Sequence, residues 1–242
     1  PHAALAAAAS LWFDEQPATM VAVTGTNGKT SVSSFCRQIW TELGNDAVNL
    51  GTTGVEGAFF APLAHTTPDP ITLHKTLRAC ARAGVTHGAM EASSHGLSQR
   101  GLDGVRLAAA GFTNFTQDHL DYHGSFEAYL DAKAGLFDRV LPPTGVAVLN
   151  IDDPKIAELS VRISRGGQKT ITVGRSPDAD LQILAQKYDS SGQNIRFSYQ
   201  GKTYQSFLSL IGSFQGENVL LAAGLCIASG QDPDCLLYTS PS

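Results

Sequence analysis

The sequence predicts an α/β domain: a mostly parallel, P-loop-type sheet flanked by helices, with a small antiparallel β appendage. Over the first two thirds of the chain, short apolar runs that suit buried strands alternate with segments of helical periodicity. Such alternation produces parallel sheets that are covered on both faces. A G-K-T turn also separates the first strand from the first long helix. Beyond residue 180, alternating runs separated by turn residues indicate antiparallel strands.

The first predicted unit is a strand, a loop and a helix. The strand runs from Met20 to Thr24, and the helix lies within SVSSFCRQIWTEL, ended by Gly44. Helical spacing places six apolar residues on one face of this helix. They are Val32, Phe35, Cys36, Ile39, Trp40 and Leu43.

Later segments repeat the alternation. Asp69 and Pro70 supply an N-cap and a first-turn proline for a helix that ends near Ala83. Another helix is predicted from Ser125 to Val140. The further predicted strands are VTHGAME at 85–91, VRLAAAGFTN at 105–114, GVAVLN at 145–150 and TITVG at 170–174.

The antiparallel appendage is predicted in residues 180–210. Turn signals at Ser190 to Gln193 and at Gln200-Gly201 join its strands. The chain then returns to a helix in GENVLLAAGLCIASG, residues 216–230.

Composition and charge restrict the partners. Of 242 residues, 43% are hydrophobic and 16% charged, which is typical of a globular protein, and the net charge of -5 comes without a Lys/Arg cluster. Nucleic-acid and membrane partners are therefore not expected, because both require a basic face or a long apolar span. Four scattered cysteines predict neither a zinc cluster nor a disulfide framework. We expect a cytoplasmic, monomeric protein with small-molecule ligands.

The turn TGTNGKTS is the strongest candidate for a ligand site. It joins a strand to a helix N-terminus, so its N–H groups and the helix dipole can bind phosphate. Lys29 adds a cation, and Thr30 adds a hydroxyl for Mg²⁺. An ordinary strand-to-helix turn is the alternative. The predicted nucleotide-binding residues of this turn are Gly25, Thr26, Asn27, Gly28, Lys29, Thr30 and Ser31.

Two more polar clusters follow predicted strands. Glu91 precedes ASSHGL, which brings two hydroxyls and His95 to the same loop; an N-cap cluster is the alternative interpretation. FTNFTQDHLDYHG then concentrates groups of the kind that bind Mg²⁺, at the strand ends where open parallel sheets bind ligands. These groups are Asn114, Asp118, His119, Asp121 and His123.

Lys133 occupies an unexpected position. Phe126, Leu130 and Phe137 share its helical face, so spacing places this lysine within an apolar stripe. A lysine there either extends its ammonium to the edge of the stripe or is required by the chemistry of a site.

Five blocks together resemble the Mur ligase family, and within it the branch that adds the third amino acid of the peptidoglycan peptide. The blocks are TGTNGKTS, HTTPDP, MEASSHGL, FTNFTQDHLDYHG and AKAGLFD. The resemblance implies an ATP-dependent amide ligase. ATP phosphorylates the carboxylate of UDP-MurNAc-L-Ala-D-Glu, and the amine of the incoming amino acid attacks the acyl phosphate. The expected amino acid is meso-diaminopimelate, with L-lysine as the alternative, because the motif that selects between them is not in this sequence.

The resemblance also assigns roles to residues. It implies that Lys29 holds the ATP phosphates and that Asn218 lies near the adenine. It implies two Mg²⁺ ions, held by Thr30, Glu91, His119 and Lys133, with Lys133 converted by CO₂ to a carbamate and with Lys29, Lys133 and His119 catalytic. The implied contacts to the muramoyl-dipeptide are Thr66, Thr67, Ser93, Gln99 and Arg100.

Two positions depart from the family pattern. Gly101 stands where an arginine is common, two residues after Gln99, and Arg100 precedes it. Gln215-Gly216 stands where Asn-Val or Gln-Val is frequent.

Two other functions are considered for this chain. A folylpolyglutamate synthetase-like ligase is the nearest alternative, although that family lacks the TTPDP block. A nucleotide-binding module without ligase activity is the other.

The resemblance implies a division of the chain into three parts. Residues 1–17 are expected to be the end of an N-terminal UDP-binding domain and its linker, and residues 18–234 the central ATP-binding domain. Residues 235–242, CLLYTSPS, resemble a translated sequencing adapter and are expected to be non-native; an ordinary C-terminus is the alternative. We expect the chain by itself to be inactive in ligation.

Overall fold

The computed structural model describes residues 1–116 and 125–238, and in this part of the chain ten strands form one sheet. The strands are β1 (Thr19–Thr24), β2 (Ala47–Gly51), β3 (Gly54–Gly57), β4 (His87–Glu91), β5 (Ala109–Phe112), β6 (Val146–Asn150), β7 (Lys169–Gly174), β8 (Leu181–Asp189), β9 (Gly192–Tyr199) and β10 (Lys202–Leu208).

The helices of the described residues alternate with these strands. They are α1 (His2–Phe13), α2 (Lys29–Glu42), α3 (Pro70–Arg82), α4 (Ser94–Ser98), α5 (Phe126–Gly135), α6 (Pro154–Arg165), α7 (Phe214–Ala228) and α8 (Pro233–Tyr238). A π-helical turn, Leu136–Val140, continues α5. No helix in the described ranges combines the length and the apolar character needed to cross a membrane.

The strand order is β10-β9-β8-β7-β6-β5-β1-β4-β2-β3. The central pairs, from β2 across to β8, are parallel, and antiparallel pairs form both ends of the sheet. The predicted fold class is confirmed. The antiparallel strands β8 to β10 are not a separate layer, however, because β8 pairs with β7 through Val173–Leu181 and Gly174–Gln182 and so extends the same sheet.

Helices cover both faces of this sheet, and each face has its own core. On one face, α3, α5 and α6 contribute buried residues such as Leu73, Tyr129 and Ile156. On the other, α2 and α7 contribute residues such as Trp40 and Leu221. The buried side of α2 includes Val32, Cys36 and Trp40, as the helical spacing predicts, and α1 packs against α3.

The N-cap at Asp69 is confirmed, since its carboxylate accepts from the N–H groups of Ile71 and Thr72 at 3.0 and 3.1 Å. Other boundaries differ from the sequence-based expectation. The strand predicted at 105–114 is confined to Ala109–Phe112, and the helix predicted from Ser125 becomes π-helical after Gly135. The hairpin β2–β3 and the helices α6 and α8 were not predicted, and α4 was anticipated only by the N-cap alternative for the cluster after Glu91.

Candidate active site

The loop between β1 and α2 has a backbone that requires glycine at two positions. Gly25 has φ 145° and Gly28 has φ 87°, backbone angles that residues with a side chain rarely adopt. Both residues also lie against neighbours: a Cβ on Gly25 would stand 1.9 Å from Oγ1 of Thr113, and one on Gly28 would stand 2.6 Å from Oδ1 of Asn218. The two glycines therefore fix the loop in a shape that brings residues 26–28 and the start of α2 to the lining of one cavity.

The segment that follows β5 holds this loop in place. Thr113 donates its hydroxyl to the carbonyl of Asn27 at 2.5 Å. Asn114 binds the same residue twice, accepting from its N–H at 2.9 Å and donating to its carbonyl at 3.1 Å. The N–H of Thr26 donates to the Asn114 carbonyl at 2.9 Å, and the N–H of Thr116 donates to the Thr26 hydroxyl at 3.0 Å. Asn114 thus orients the loop backbone. Its place in the sequence, among residues of the kind that bind Mg²⁺, did not predict this role.

Lys29, the first residue of α2, lies folded back over the loop. Its Nζ donates to the carbonyls of Gly25 and Thr26 at 2.8 and 2.9 Å. These bonds keep the ammonium at the loop, where the positive end of the helix dipole adds to its charge. The loop, the helix dipole and the lysine together favour the binding of an anion that carries several oxygen atoms.

Glu91, at the end of β4, is 2% exposed, and its carboxylate faces the same loop. Its Oε1 accepts from the hydroxyl of Thr30 at 3.0 Å and from the N–H of Thr52 at 3.1 Å. The strand β2 allows this approach because Gly51 lacks a side chain: a Cβ there would stand 1.9 Å from Oε1. A buried carboxylate beside a hydroxyl provides the hard oxygen ligands that Mg²⁺ prefers.

A cavity of about 280 Å³ lies between the loop and the ends of β2 and β4. Among the predicted substrate contacts, Thr66 and Ser93 line it, together with the loop residues and Glu91. Thr52 also lines it and was not predicted; its hydroxyl bonds that of Thr66 at 3.0 Å. The nine residues that line the cavity are Thr26, Asn27, Gly28, Lys29, Thr30, Thr52, Thr66, Glu91 and Ser93.

Other predicted substrate contacts lie away from this cavity lining. Thr67 is buried, donating to the Glu91 carbonyl at 3.0 Å and accepting from the Ser93 N–H at 2.9 Å. Gln99 is exposed at the end of α4. The guanidinium of Arg100 donates to the carboxylate of Asp103 at 3.1 Å.

The neighbouring residues explain two details of this region. Ser93 caps α4, accepting from the Gly96 N–H at 3.1 Å, so the N-cap interpretation applies to Ser93 and not to Glu91. Gly101 is buried, and a Cβ there would stand 3.0 Å from the Pro68 carbonyl. An arginine at this position would have to displace that backbone.

Lys133 is 1% exposed, which contradicts the interpretation that its ammonium extends to the solvent edge. Its Nζ donates to the carbonyl of Gly25 at 2.8 Å and lies 4.5 Å from the centre of the Tyr129 ring. The lysine therefore reaches the loop from α5. His119, together with Asp118, Asp121 and His123, lies outside the described residues.

Asn218 is buried in the first turns of α7, beside Gly28. Burial raises the pKa of the adjacent Glu217, whose carboxylate also lies 3.6 Å from Nε of Arg175. Glycine at position 216, where the family often has valine, does not leave a gap, because a Cβ at this position would stand 2.3 Å from Nε2 of Gln186.

Within the described ranges, no three His, Cys, Asp or Glu side chains are grouped to hold a metal.

We expect Gly51→Ala to weaken Mg²⁺-dependent nucleotide binding by at least about tenfold, since the added Cβ must displace the Glu91 carboxylate and with it a charged ligand contact. A Mg²⁺ titration of nucleotide binding to this chain measures the effect. Gly88→Ala in β4 is the matched control, because its Cβ would meet the side chains of Met20 and Val48, neither of which lines the cavity. Equal Mg²⁺ dependence in the two variants would contradict the prediction.

The fold and this loop define a P-loop type α/β domain, with a cationic loop and a buried carboxylate at the carboxyl ends of its parallel strands. Residues 23–226 match the family described as the Mur ligase middle domain. The chain therefore belongs to the Mur ligase family, and the resemblance found in the sequence is confirmed.

Similar proteins agree with this assignment. A UDP-N-acetylmuramoyl-L-alanyl-D-glutamate–2,6-diaminopimelate ligase of Caulobacter vibrioides is 48% identical over 95% of this chain and 48% of its own length. A protein of the same name from Mesorhizobium japonicum gives the same values. A solved structure of a ligase with that name aligns with TM-score 0.82 and 33% identity over 94% of this chain and 46% of its own. The chain spans about half the length of these relatives.

Proposed function

We propose that this chain is the ATP-binding central part of an ATP-dependent amide ligase of peptidoglycan precursor synthesis. The complete enzyme would add meso-diaminopimelate to UDP-MurNAc-L-Ala-D-Glu. The observation that carries the proposal is the pairing of Thr30 with Glu91 beside a cationic phosphate loop. The 48% identity to relatives named as diaminopimelate ligases supports the choice of amino acid.

The reaction requires the γ-phosphoryl group of ATP to move to the D-Glu carboxylate. A carboxylate oxygen bonds the γ-phosphorus, the bond between this phosphorus and the β,γ-bridging oxygen breaks, and ADP leaves with that oxygen. The amine then bonds the carbonyl carbon of the acyl phosphate and loses a proton, while the carbon–oxygen bond to the phosphate breaks and phosphate leaves. Phosphoryl transfer depends mainly on positioning and charge neutralisation. In this proposal residues 25–31, including Ser31, hold the phosphates through N–H groups other than those of Thr26 and Asn27, which donate to Asn114. Lys29 neutralises their charge, and Asn218 borders the adenine.

Two Mg²⁺ ions would neutralise the remaining phosphate charge when bound. The described residues fit one such ion, because Thr30 and the buried Glu91 offer adjacent oxygens at the cavity. We assign His119 as a further ligand. Thr66, Thr67, Ser93, Gln99 and Arg100 are assigned to the muramoyl-dipeptide, with Thr66 and Ser93 at the cavity and Thr67 supporting Ser93.

We assign to Lys133 a carbamate formed with CO₂, which would supply an anionic ligand to the second ion. One feature of its surroundings fits such a group. The side chain is buried at the loop, where a carbamate would present two anionic oxygens to a cation that an ammonium would repel.

The proposal extends to the organisation of the protein. Residues 1–17 would end an N-terminal UDP-binding domain, and residues 18–234 would form the central domain. Residues 235–242 would be a non-native tail. The complete protein would be a cytoplasmic monomer that binds ATP, the UDP-linked dipeptide and the amino acid.

The test compares the 242-residue chain with a protein extended to the length of its relatives. The extended protein is incubated with ATP, Mg²⁺ and UDP-MurNAc-L-Ala-D-Glu, and either meso-diaminopimelate or L-lysine is added. We expect ADP and tripeptide with meso-diaminopimelate, and no tripeptide from the 242-residue chain. Tripeptide formed only with L-lysine would refute the amino acid assignment, and its formation by the short chain would refute the claim that the chain is incomplete.

The same assay distinguishes the proposed function from two alternative functions. Folylpolyglutamate synthase of Mycobacterium tuberculosis aligns with TM-score 0.76 over the whole chain and 62% of its own, but at 19% identity this shows the fold alone. Activity of the extended protein on a folate substrate, and none on the UDP-linked dipeptide, would favour that function. Nucleotide binding without any ligation would favour a binding module.

A further inference from the structure

We propose that Asp153 is a positioning residue for the phosphate loop, although it lies in a different part of the chain and outside the cavity lining. The inference rests on the proposed nucleotide-binding role of the loop. Asp153 connects the start of α6 to the segment after β5, and this segment holds the loop in place.

The two carboxylate oxygens of Asp153 have separate partners. Oδ1 caps α6, accepting from the N–H groups of Lys155 and Ile156 at 2.9 and 3.4 Å. Oδ2 accepts from the N–H of Phe115 at 2.7 Å. The second bond joins residues 38 positions apart, and its short length is typical of a charge-assisted bond.

Phe115 lies in the middle of the segment that contacts the loop. Asn114 before it and Thr116 after it bind the backbone of Asn27 and the hydroxyl of Thr26. A bond that fixes the peptide between Asn114 and Phe115 therefore fixes the direction of both contacts. Asp153 therefore acts on the position of the loop through one residue, Phe115.

Solvent offers little replacement for this bond. Phe115 is 5% exposed, and its ring lies 4.5 Å from that of Phe126 and 5.2 Å from that of Tyr129. Tyr129 is the same residue whose ring faces the ammonium of Lys133. A buried N–H that loses its acceptor is costly, so the segment would shift to find another. Such a shift would move Asn114 and Thr116 relative to the loop.

The chain contains a matched control for this carboxylate. Asp69-Pro70 repeats the sequence Asp153-Pro154, and each aspartate caps a helix whose first residue is proline. Oδ1 of Asp69 accepts from Ile71 and Thr72, as Oδ1 of Asp153 does from its own helix. Oδ2 of Asp69 accepts only from the nearby hydroxyl of Thr72 among the described hydrogen bonds. Substitutions at Asp69 therefore change a cap without changing a long-range contact to the loop.

The test uses asparagine, which caps helices about as well as aspartate but is uncharged and can turn its amide nitrogen toward Phe115. Binding of a fluorescent N-methylanthraniloyl ATP with Mg²⁺ is measured for the 242-residue chain and for Asp153→Asn and Asp69→Asn. We expect Asp153→Asn to weaken binding about three- to tenfold and Asp69→Asn to leave it unchanged, while both variants melt at similar temperatures. Hydrogen exchange should also become faster in residues 25–30 and 113–116 in Asp153→Asn alone.

The outcomes are separable. If the unsubstituted chain does not bind the nucleotide, the proposed function fails. If it binds and Asp153→Asn binds equally well, with unchanged exchange in residues 25–30, the role of Asp153 is overturned. Asp153→Ser, which retains a capping oxygen, serves as a second variant and is expected to behave like Asp153→Asn. Unfolding of both Asp153 variants would assign the residue to overall stability and would overturn the proposal too.

Discussion

Lys133→Ala, in a protein extended to the length of the relatives, is expected to lower the rate of ligation by about 10² to 10³-fold. Lys133 is buried and bonded to the loop carbonyl of Gly25, so its removal takes away the group that we assign to the second ion. The rate of ADP release in the presence of all substrates measures the effect. Near-normal turnover would refute the carbamate assignment.

A general loss of stability must be separated from this effect. Lys133→Met keeps most of the side-chain volume, and the Gly25 carbonyl that loses the Lys133 ammonium still accepts from Lys29. We therefore expect a melting temperature close to that of the unsubstituted protein, together with the same loss of ligation. Removal of CO₂ and bicarbonate should lower the activity of the unsubstituted protein, and their return should restore it. Insensitivity to bicarbonate would count against the carbamate while leaving a role for the amine.

Lys29→Ala is expected to weaken nucleotide binding to this chain by about a hundredfold, which corresponds to about 2.7 kcal/mol. The physical reason is the loss of a cation that the structure already holds over the loop through the carbonyls of Gly25 and Thr26. Fluorescence titration with N-methylanthraniloyl ATP and Mg²⁺ measures the change.

Lys202→Ala controls for net charge in this experiment. Lys202 lies on β10 at the far edge of the sheet, where its ammonium pairs with Asp234 at 2.8 Å. The Lys202→Ala substitution removes the same charge without changing the loop. Because surface ion pairs usually contribute little, we expect the nucleotide dissociation constant of this variant to stay within about twofold of that of the unsubstituted chain. Equal losses in the two variants would show that overall charge, and not Lys29 itself, governs binding.

Much of the fold was predictable because local signals agreed with the tertiary structure. The apolar face of α2 and the cap at Asp69 both follow from spacing and residue type, and both are present. The helix α6 begins with the same Asp-Pro signal, at Asp153, so the information was in the sequence although no helix was predicted there. The strand β2 gave a weaker signal, because the buried Asn49 at its centre interrupts the apolar run.

The candidate site was predictable as a set of residue types but not as a set of contacts. The loop sequence predicts a phosphate site, and Glu91 stands at a strand end, where open parallel sheets bind ligands. That Glu91 reaches Thr30 depends on the missing side chain of Gly51 in a strand 40 residues earlier, which no local pattern reveals. The role of Asn114 on the loop backbone likewise depends on the pairing of β5 with β1.

The central position of β1 has a consequence for synthesis of the protein on the ribosome. Its two neighbours, β4 and β5, are both translated after it, so the apolar strand that carries the loop remains without partners while the intervening chain is made. At about 5–20 residues per second, this interval lasts on the order of ten seconds. An unpaired apolar strand is a template for association with other chains. The strand that carries the loop is therefore open to association with other chains during synthesis, until β4 and β5 pair with it.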